Sequence, residues 1–175
     1  EGSAGTGFRH SPKQTLLHTS DLSGRWGRDD SEDALLHGSV RYYWRDFGEH
    51  LFFATLEGDV ASHLFRDHQL LLGGDSGLRG YPLRYQDGDE RVLLTLEQRF
   101  FTEYYPFHLF HVGGAVFFDV GKVTDDDWRA GGGLGLIVHS KERSLFSFEL
   151  AYGDGLQLVV STDPLRAFPK KDTEL

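Results

Sequence analysis

Apolar and polar residues alternate along most of this chain, in segments of about ten residues that turn-forming residues separate. Between positions 36 and 45, Leu36, Val40 and Trp44 fall on one face of an extended strand, and Arg41 and Arg45 fall on the other. A period of two is typical of β-strands, because successive side chains point to opposite faces of a sheet. The pattern predicts eight strands, at positions 16–26, 36–45, 52–60, 91–103, 112–120, 133–139, 146–152 and 156–162.

The predicted strands are long, and one face of them is charged. A tilted strand needs about 9–11 residues to cross a bilayer, whereas strands of soluble sheets usually have about five or six. The face opposite the apolar one carries Arg41, Arg45, Glu57, Asp59, Glu97, Arg99, Asp119 and Glu149. These residues would form the solvated surface of a soluble sandwich or line the wet interior of a membrane barrel. Aromatic residues near strand ends, such as Trp44, Tyr104 and Tyr105, favour the barrel, because aromatic rings settle at membrane interfaces.

Composition narrows the class of protein and its partners. No stretch approaches the roughly 18 apolar residues of a transmembrane helix, whereas the low mean hydropathy of −0.39 is compatible with a barrel, in which only alternate residues meet lipid. The net charge of −9 disfavours nucleic acid as a partner, since phosphate binding needs clustered Lys and Arg. The absence of Cys excludes disulfides and thiolate metal sites. Because the chain has no Met, we expect that a signal peptide or a longer N-terminal portion has been removed.

One connection, at positions 63–90, is much longer than the others and is called the loop below. It contains Gly73-Gly74-Asp75-Ser76-Gly77-Leu78-Arg79-Gly80-Tyr81-Pro82, whose glycines permit positive φ and close approach to a wall. Arg79 is costly to bury alone, so it should pair with a carboxylate. We divide the chain into a flexible leader (1–15), a transmembrane barrel unit that contains the loop (16–168) and a C-terminal tail (169–175).

No residue pattern in the chain is typical of catalysis. A hydrolase needs a nucleophile, a base and an orienting acid held together, and no Gly-x-Ser-x-Gly turn occurs. His139 and Ser140 are adjacent, which places them on opposite faces of a strand. His108 and His111 have the spacing closest to that of metal ligands, but they lie at a loop end. We therefore predict a protein with no catalytic residue, no metal and no cofactor.

Four sequence motifs, taken in order, resemble those of a known family. Gly73 to Tyr81 is followed by Glu97-Gln98-Arg99, then by Phe117-Phe118-Asp119-Val120-Gly121, and then by Gly133-Leu134-Gly135-Leu136. Their order and spacing resemble the C-terminal barrel of the BamA/TamA superfamily. The resemblance implies a protein of the Gram-negative outer membrane that inserts or translocates polypeptides.

The resemblance also implies a loop-anchor motif, made of Arg79, Gly80, Tyr81, Glu97, Phe117 and Asp119. The loop would enter the lumen, where Arg79 would pair with Asp119 on the barrel wall. Phe117 would stack on the arginine, and Glu97 would add a second acidic contact. The last strand, with the terminal aromatic Phe168, would be the segment recognised during assembly.

The number of predicted strands leaves open whether this chain forms a closed barrel by itself. The family barrel has sixteen strands behind periplasmic domains of the POTRA type, whereas here three predicted strands precede the loop and five follow it. Because an eight-stranded barrel is filled by its own side chains, the loop cannot also fit inside one. We expect the wall to be completed by a second copy of the chain, as a dimer, or by missing N-terminal strands. The alternative is a small barrel that closes alone with the loop only partly inserted.

The expected partners follow from these alternatives. A membrane barrel contacts the lipid bilayer and its lipopolysaccharide, and an insertion or translocation barrel also contacts unfolded polypeptide. Two other functions are open: a structural or small-pore barrel without a transport role, and the membrane anchor of a longer autotransporter-type protein.

Overall fold

The computed structural model describes residues 2–11, 14–26, 32–46, 50–62, 70–105, 110–139 and 144–161. These residues form eleven strands and a short 3-10 helix, Gly74–Ser76. In chain order the strands are β1 (Gly2–Ser11), β2 (Gln14–Trp26), β3 (Glu32–Asp46), β4 (His50–Ser62), β5 (Leu70–Leu72), β6 (Gln86–Gly88), β7 (Glu90–Phe101), β8 (His111–Val123), β9 (Arg129–His139), β10 (Ser144–Tyr152) and β11 (Leu156–Ser161). None of the described residues belongs to a helix with the length and apolar character that a membrane span requires.

Nine strands form one antiparallel sheet in the order β1-β2-β3-β4-β7-β8-β9-β10-β11. Each strand pairs with its neighbour in the chain, and only the step from β4 to β7 spans the loop, within which β5 and β6 pair with each other. Among the described strands no ladder joins β1 to β11, so the sheet is not closed into a barrel. The predicted all-β, antiparallel architecture is confirmed, but closure of eight strands by themselves is not. The loop covers the face that such a small barrel would have to fill with its own side chains.

The strand count differs from the prediction at the N-terminal end. Gly2–Ser11, placed by the sequence in a flexible leader, pairs with β2 from Gly2 opposite Leu22 to Ser11 opposite Gln14. The prediction of a flexible leader was therefore wrong, and four main-sheet strands precede the loop instead of three. Small polar residues give no alternating pattern, but a ladder is built from backbone N–H and C=O groups that every residue except proline carries. The predicted tail and Phe168 lie outside the described residues.

The two faces of the sheet have inverted polarity compared with a soluble sheet. The outer face, defined by Val116, Leu136 and Leu150, leaves about half of each of these side chains exposed (48%, 49% and 47%). Large exposed apolar side chains continue along this face on β3 to β11: Leu36, Val40, Trp44, Leu56, Val60, Val92, Phe100, Phe118, Leu134, Phe146, Phe148, Tyr152, Leu156, Leu158 and Val160. The inner face instead buries charged residues: Asp59, Glu97, Arg99, Asp119 and Glu149. A soluble sheet normally buries its apolar face and exposes its polar one.

Two apolar clusters on the inner face lie at different places along the strands. One cluster joins the loop to the sheet and contains Leu72, Leu78, Tyr81, Leu93 and Val123. The other contains Tyr43, Leu51 and Phe53, with Phe101 packed against them. Tyr43 and Phe101, which lie at strand ends in the sequence, therefore face inward, whereas Trp44 and Phe100 beside them are exposed.

Candidate functional site

The loop folds back over the inner face instead of extending away from the sheet. β5 and β6 form its base, and the 3-10 helix Gly74–Ser76 leads into its tip. Gly77 and Gly80 have φ values of 101° and 89°, a region that glycine adopts without steric cost. These two turns bring the segment between them down onto the sheet, where Leu78 and Arg79 are almost completely buried.

Arg79 makes a two-pronged contact with Asp119 on β8. Its Nε donates to Asp119 Oδ2 at 2.7 Å, and its Nη2 donates to Oδ1 at 2.9 Å. The backbone N–H of Arg79 also donates to Oδ2, at 3.3 Å. Asp119 has no solvent exposure, so these bonds replace water as its partners. The planar guanidinium fork matches the carboxylate, which makes the contact both strong and specific in direction. The predicted pairing of Arg79 with Asp119 is therefore present.

Two further carboxylates meet the remaining side of the guanidinium. Arg79 Nη1 donates to Glu97 Oε2 at 2.9 Å and to Glu149 Oε2 at 3.1 Å. Glu97 is shared with Arg99, whose Nε donates to Oε1 at 2.5 Å. The contact with Glu97 was predicted, but the one with Glu149 was missed. The sequence did indicate that Glu149 points inward, because it alternates with the apolar residues of its strand and so falls on the polar face, as Asp119 does.

We call these five residues, Arg79, Glu97, Arg99, Asp119 and Glu149, the Arg79 cluster. Three carboxylates face two guanidinium groups in it, so the buried cluster carries one excess negative charge. The carboxylates come from β7, β8 and β10, and β9 lies between β8 and β10 in the sheet. Strands in a flat sheet are about 4.8 Å apart, so one guanidinium can reach all three strands only if the sheet curls around the loop.

Phe117 lies beneath the guanidinium as the resemblance implied. The Cζ of Arg79 is 3.5 Å from the centre of the Phe117 ring, within the range of a cation–π contact. Burial by itself lowers the pKa of Arg79, but the hydrogen bonds and negative charge of Asp119, followed by the charges of Glu97 and Glu149, raise it above its ordinary value. The side chain therefore stays charged and hydrogen-bonded to the carboxylates of the sheet.

Glycines on β9 make room for the tip of the loop and for the Phe117 ring beneath it. A Cβ added at Gly131 would collide with the carbonyl oxygen of Arg79, and one added at Gly133 would lie 2.7 Å from Cζ of Phe117. Gly80 approaches the turn after β10 equally closely, since a Cβ there would lie 2.6 Å from the carbonyl carbon of Tyr152 and 2.7 Å from the nitrogen of Gly153. The sequence predicted this close approach for Gly80, but gave no reason to assign it to the glycines of β9.

Tyr81 completes the motif at the tip. Its hydroxyl donates to the carbonyl oxygen of Ala130 at 3.1 Å, and its ring packs against that of Tyr85, with centroids 4.9 Å apart. Asp154 N–H donates to the carbonyl oxygen of Gly80 at 3.0 Å, which ties the tip to the turn between β10 and β11. The structure thus brings all six residues of the predicted loop-anchor motif together.

The geometry of the site is that of a tether. The hydrogen-bond donors of Arg79 are directed at carboxylates of the sheet, and the ring of Phe117 covers one face of the guanidinium. Within the described residues, no group of three or more His, Cys, Asp or Glu side chains is arranged to hold a metal ion. His108, considered in the sequence as a metal ligand with His111, and Ser140, considered as a nucleophile beside His139, both lie outside the described residues.

A comparison with models of known protein families gives no match, and a comparison with curated proteins gives no significant match. The interpretation of the site therefore rests on its residues and their geometry.

Proposed function

We propose that this chain is part of the wall of an outer-membrane β-barrel of the BamA/TamA type, which inserts or translocates polypeptides. The observation that carries the proposal is the Arg79 cluster. The resemblance implied a particular set of contacts between a loop and three strand residues, and the geometry contains each of them. Arg79 lies 18 residues from Glu97 and 40 from Asp119, so local sequence does not bring them together.

The polarity of the sheet supports a lipid environment for the outer face. A continuous apolar surface across β3 to β11 would be an unusually large exposed patch for a soluble monomer, in which such patches rarely exceed a few hundred Å². In a membrane barrel the same surface meets acyl chains, while the charged inner face stays wet. Exposed rings such as Trp44, Trp128 and Tyr152 would then contact the headgroup region, including lipopolysaccharide.

The open sheet supports a wall with more strands than this chain supplies. In lipid, the unpaired backbone groups of β1 and β11 would each cost several kcal/mol, so both edges need partners. The loop occupies the inner face, which requires a lumen wider than that of an eight-stranded barrel. We propose that a second copy of the chain, or strands that precede it in a longer protein, complete the wall.

The membrane part of the proposal is tested by reconstitution. The purified chain is mixed with vesicles and assayed for resistance to alkaline extraction and for a heat-dependent shift in electrophoretic mobility. We expect the wild-type chain to integrate and to show the shift. A chain that stays soluble and folded without detergent would contradict the assignment to a membrane.

The insertion part is tested separately, with the same vesicles and an unfolded eight-stranded outer-membrane barrel diluted from urea as the probe. We expect the probe to fold faster in vesicles that contain the chain than in empty ones, and to lose this gain with Arg79→Ala. An equal rate in both kinds of vesicle would contradict the insertion role.

A second candidate function is a structural barrel without transport. The observation that favours it is the burial of the loop, since Leu72, Leu78 and Arg79 are held against the inner face by both apolar and charged contacts. A loop held in this way blocks the lumen instead of opening it. Integration into vesicles without any effect on the folding probe, and without ion conductance, would favour this candidate.

A further inference from the structure

We infer that the loop has a second attachment to the sheet, centred on Arg91, which holds the base of the loop independently of the Arg79 cluster. Arg91 is the second residue of β7 and follows directly after the loop. Its role is that of a positioning residue, because it contacts the backbone of β5 and through it places the segment that leads to Arg79.

The guanidinium of Arg91 divides its donors between the wall and the loop. Nε donates to Asp59 Oδ2 at 2.8 Å, and Nη2 lies 2.7 Å from the same oxygen in an ion pair. Nη1 donates to the carbonyl oxygen of Leu71 at 3.2 Å. The charge-assisted contacts with Asp59 hold the guanidinium in place, and the bond from Nη1 binds β5. Strand pairing does not supply this link, since among the described strands β5 pairs with β6 and not with the main sheet.

Asp59 is itself held in place from the other side. His37 Nδ1 lies 2.6 Å from Asp59 Oδ1, so the two oxygens of this buried carboxylate have separate partners. His37 lies opposite Asp59 in the ladder of β3 and β4, and Asp59 lies opposite Arg91 in the ladder of β4 and β7. The three side chains therefore form one row across three strands, which ends at the carbonyl oxygen of Leu71.

The neighbouring charges complete this arrangement. Glu57 lies 4.0 Å from Arg91 Nη2 and 3.7 Å from Arg41 Nη2, further than Asp59 lies from either of its partners. Asp59 is thus the main acidic partner of Arg91, and Glu57 is secondary. Arg41 provides a matched control. It is an arginine of the same face, and its ion pair in the described part of the chain is with Glu57 on β4 and not with the loop.

The two attachments use different parts of the sheet. The row of His37, Asp59 and Arg91 lies on β3, β4 and β7, whereas Arg79 is bound by β7, β8 and β10. Only β7 contributes to both. The loop is therefore held at its base and at its tip by separate sets of charges, although one apolar cluster includes Leu72 of the base and Leu78 and Tyr81 of the tip. We expect release of the tip to leave the base in place, because Arg91 still binds Leu71. In the proposed barrel this arrangement lets the tip move within the lumen while the loop stays inside it.

Hydrogen exchange of the purified, folded chain tests the two attachments separately. Arg91→Lys keeps the positive charge next to Asp59 but lacks the fork that also reaches Leu71. We expect amide exchange in Leu70–Leu72 to become about tenfold faster, with the residues from Gly77 to Tyr81 still protected. Arg79→Gln should produce the reverse pattern, and the double variant should accelerate both segments. Arg41→Gln should leave both segments at the wild-type rate.

Asp59→Asn combined with Arg91→Gln gives a second route to the same result, because it removes the link without leaving an unpaired buried charge. It too should accelerate exchange in Leu70–Leu72 alone. The inference is overturned if Arg91→Lys and this pair both leave that exchange within about twofold of wild type. It is equally overturned if Arg79→Gln alone releases base and tip together. None of these outcomes depends on whether the outer face meets lipid or on whether the chain inserts polypeptides.

Discussion

Arg79 and Asp119 lie 40 residues apart in the chain and meet through two parallel hydrogen bonds, of 2.7 and 2.9 Å, in the interior of the protein. The arginine comes from the tip of the loop and the aspartate from the middle of β8. Since Asp119 is completely buried, the carboxylate depends on the loop for its charge partner, and the loop depends on the carboxylate for its position. The folding of the loop and that of the strand are therefore coupled.

Replacement of Arg79 by Ala should detach the tip of the loop while the sheet stays folded. The change removes the guanidinium that Asp119, Glu97 and Glu149 share, and the ion pair with Arg99 remains at Glu97, so the loop-bound state should lose about 3–5 kcal/mol. Limited proteolysis measures the effect, with cleavage after the exposed Arg84 as the signal. Arg84→Ala serves to confirm the cleavage site. Unchanged resistance in Arg79→Ala would show that the pair does not hold the tip.

The two carboxylates Asp119 and Glu149 should differ sharply in importance. Asp119→Asn removes the charge from the two-pronged partner of Arg79 and should cost about 2–4 kcal/mol of unfolding free energy. Glu149→Gln removes the excess negative charge of the cluster and loses a single contact, so it should stay within about 1 kcal/mol of wild type. Denaturant unfolding of the two variants side by side provides the measurement. An equal loss in both would mean that charge balance is not what distinguishes them.

Gly131→Ala should expel the tip of the loop. The added methyl group would overlap the carbonyl oxygen of Arg79, whose backbone N–H donates to Asp119. Gly131 is itself held opposite Asp119 in the ladder of β8 and β9. Overpacking of this kind costs about 1–3 kcal/mol or more. Gly38→Ala on β3 is the matched control, because no atom lies within 4 Å of the added Cβ there. Thermal unfolding should separate the two, and a pair of equal melting temperatures would argue against close packing of loop and β9.

An arginine on the outer face should be costly only in a bilayer. Val116→Arg or Leu136→Arg should destabilise the chain by about 2–4 kcal/mol if these positions lie near the membrane midplane. Leu83→Arg, on an exposed part of the loop, should be close to neutral. Reversible folding into vesicles at increasing urea concentrations gives the values. If the arginine variants fold as well as wild type and become more soluble, water and not lipid covers this face.

The edge strands β1 and β11 should each pair with a further strand. Mass measurement in detergent distinguishes the possible states of the chain, since a wall completed by a second copy gives a dimer. Cysteine pairs introduced at neighbouring positions of β1 and β11 report on the edges, because a bond between copies runs at twice the mass under non-reducing conditions. A strict monomer with an internal bond between the two edges would refute the dimer and indicate a small barrel capped by its loop.

The alternation of residues was enough to predict most strands and their two faces. Strands near Leu36, Phe52, Val112 and Phe146 lie where the period of two places them, and Asp59, Asp119 and Glu149 of those strands are buried on the inner face. The reason is that side-chain direction in an extended strand is a local property, fixed by the backbone. β1 was missed because its small polar residues have no such pattern, although their backbones pair with β2.

Only those contacts of the site that the family resemblance implied could be predicted from the sequence. Arg79, Asp119, Glu97 and Phe117 were placed together because the order of motifs implied it, not because spacing along the chain requires it. Glu149 could have been proposed because it lies on the inward-facing side of its strand, but that position alone does not say which strand the loop approaches. The role of Arg91 had no signal of its own, since nothing local indicates that its guanidinium reaches the carbonyl oxygen of Leu71.

The sequence by itself determined the class of fold, the apolar and charged faces, and the glycines that allow the loop to turn back, because each of these depends on local backbone geometry. The tertiary structure decided which charges meet, how the sheet curls and where it stays open. Those outcomes depend on contacts between residues far apart in the chain, such as Arg79 with Glu149, 70 residues away. A buried charge is stable only beside its partner, and folding of the whole sheet brings the two together.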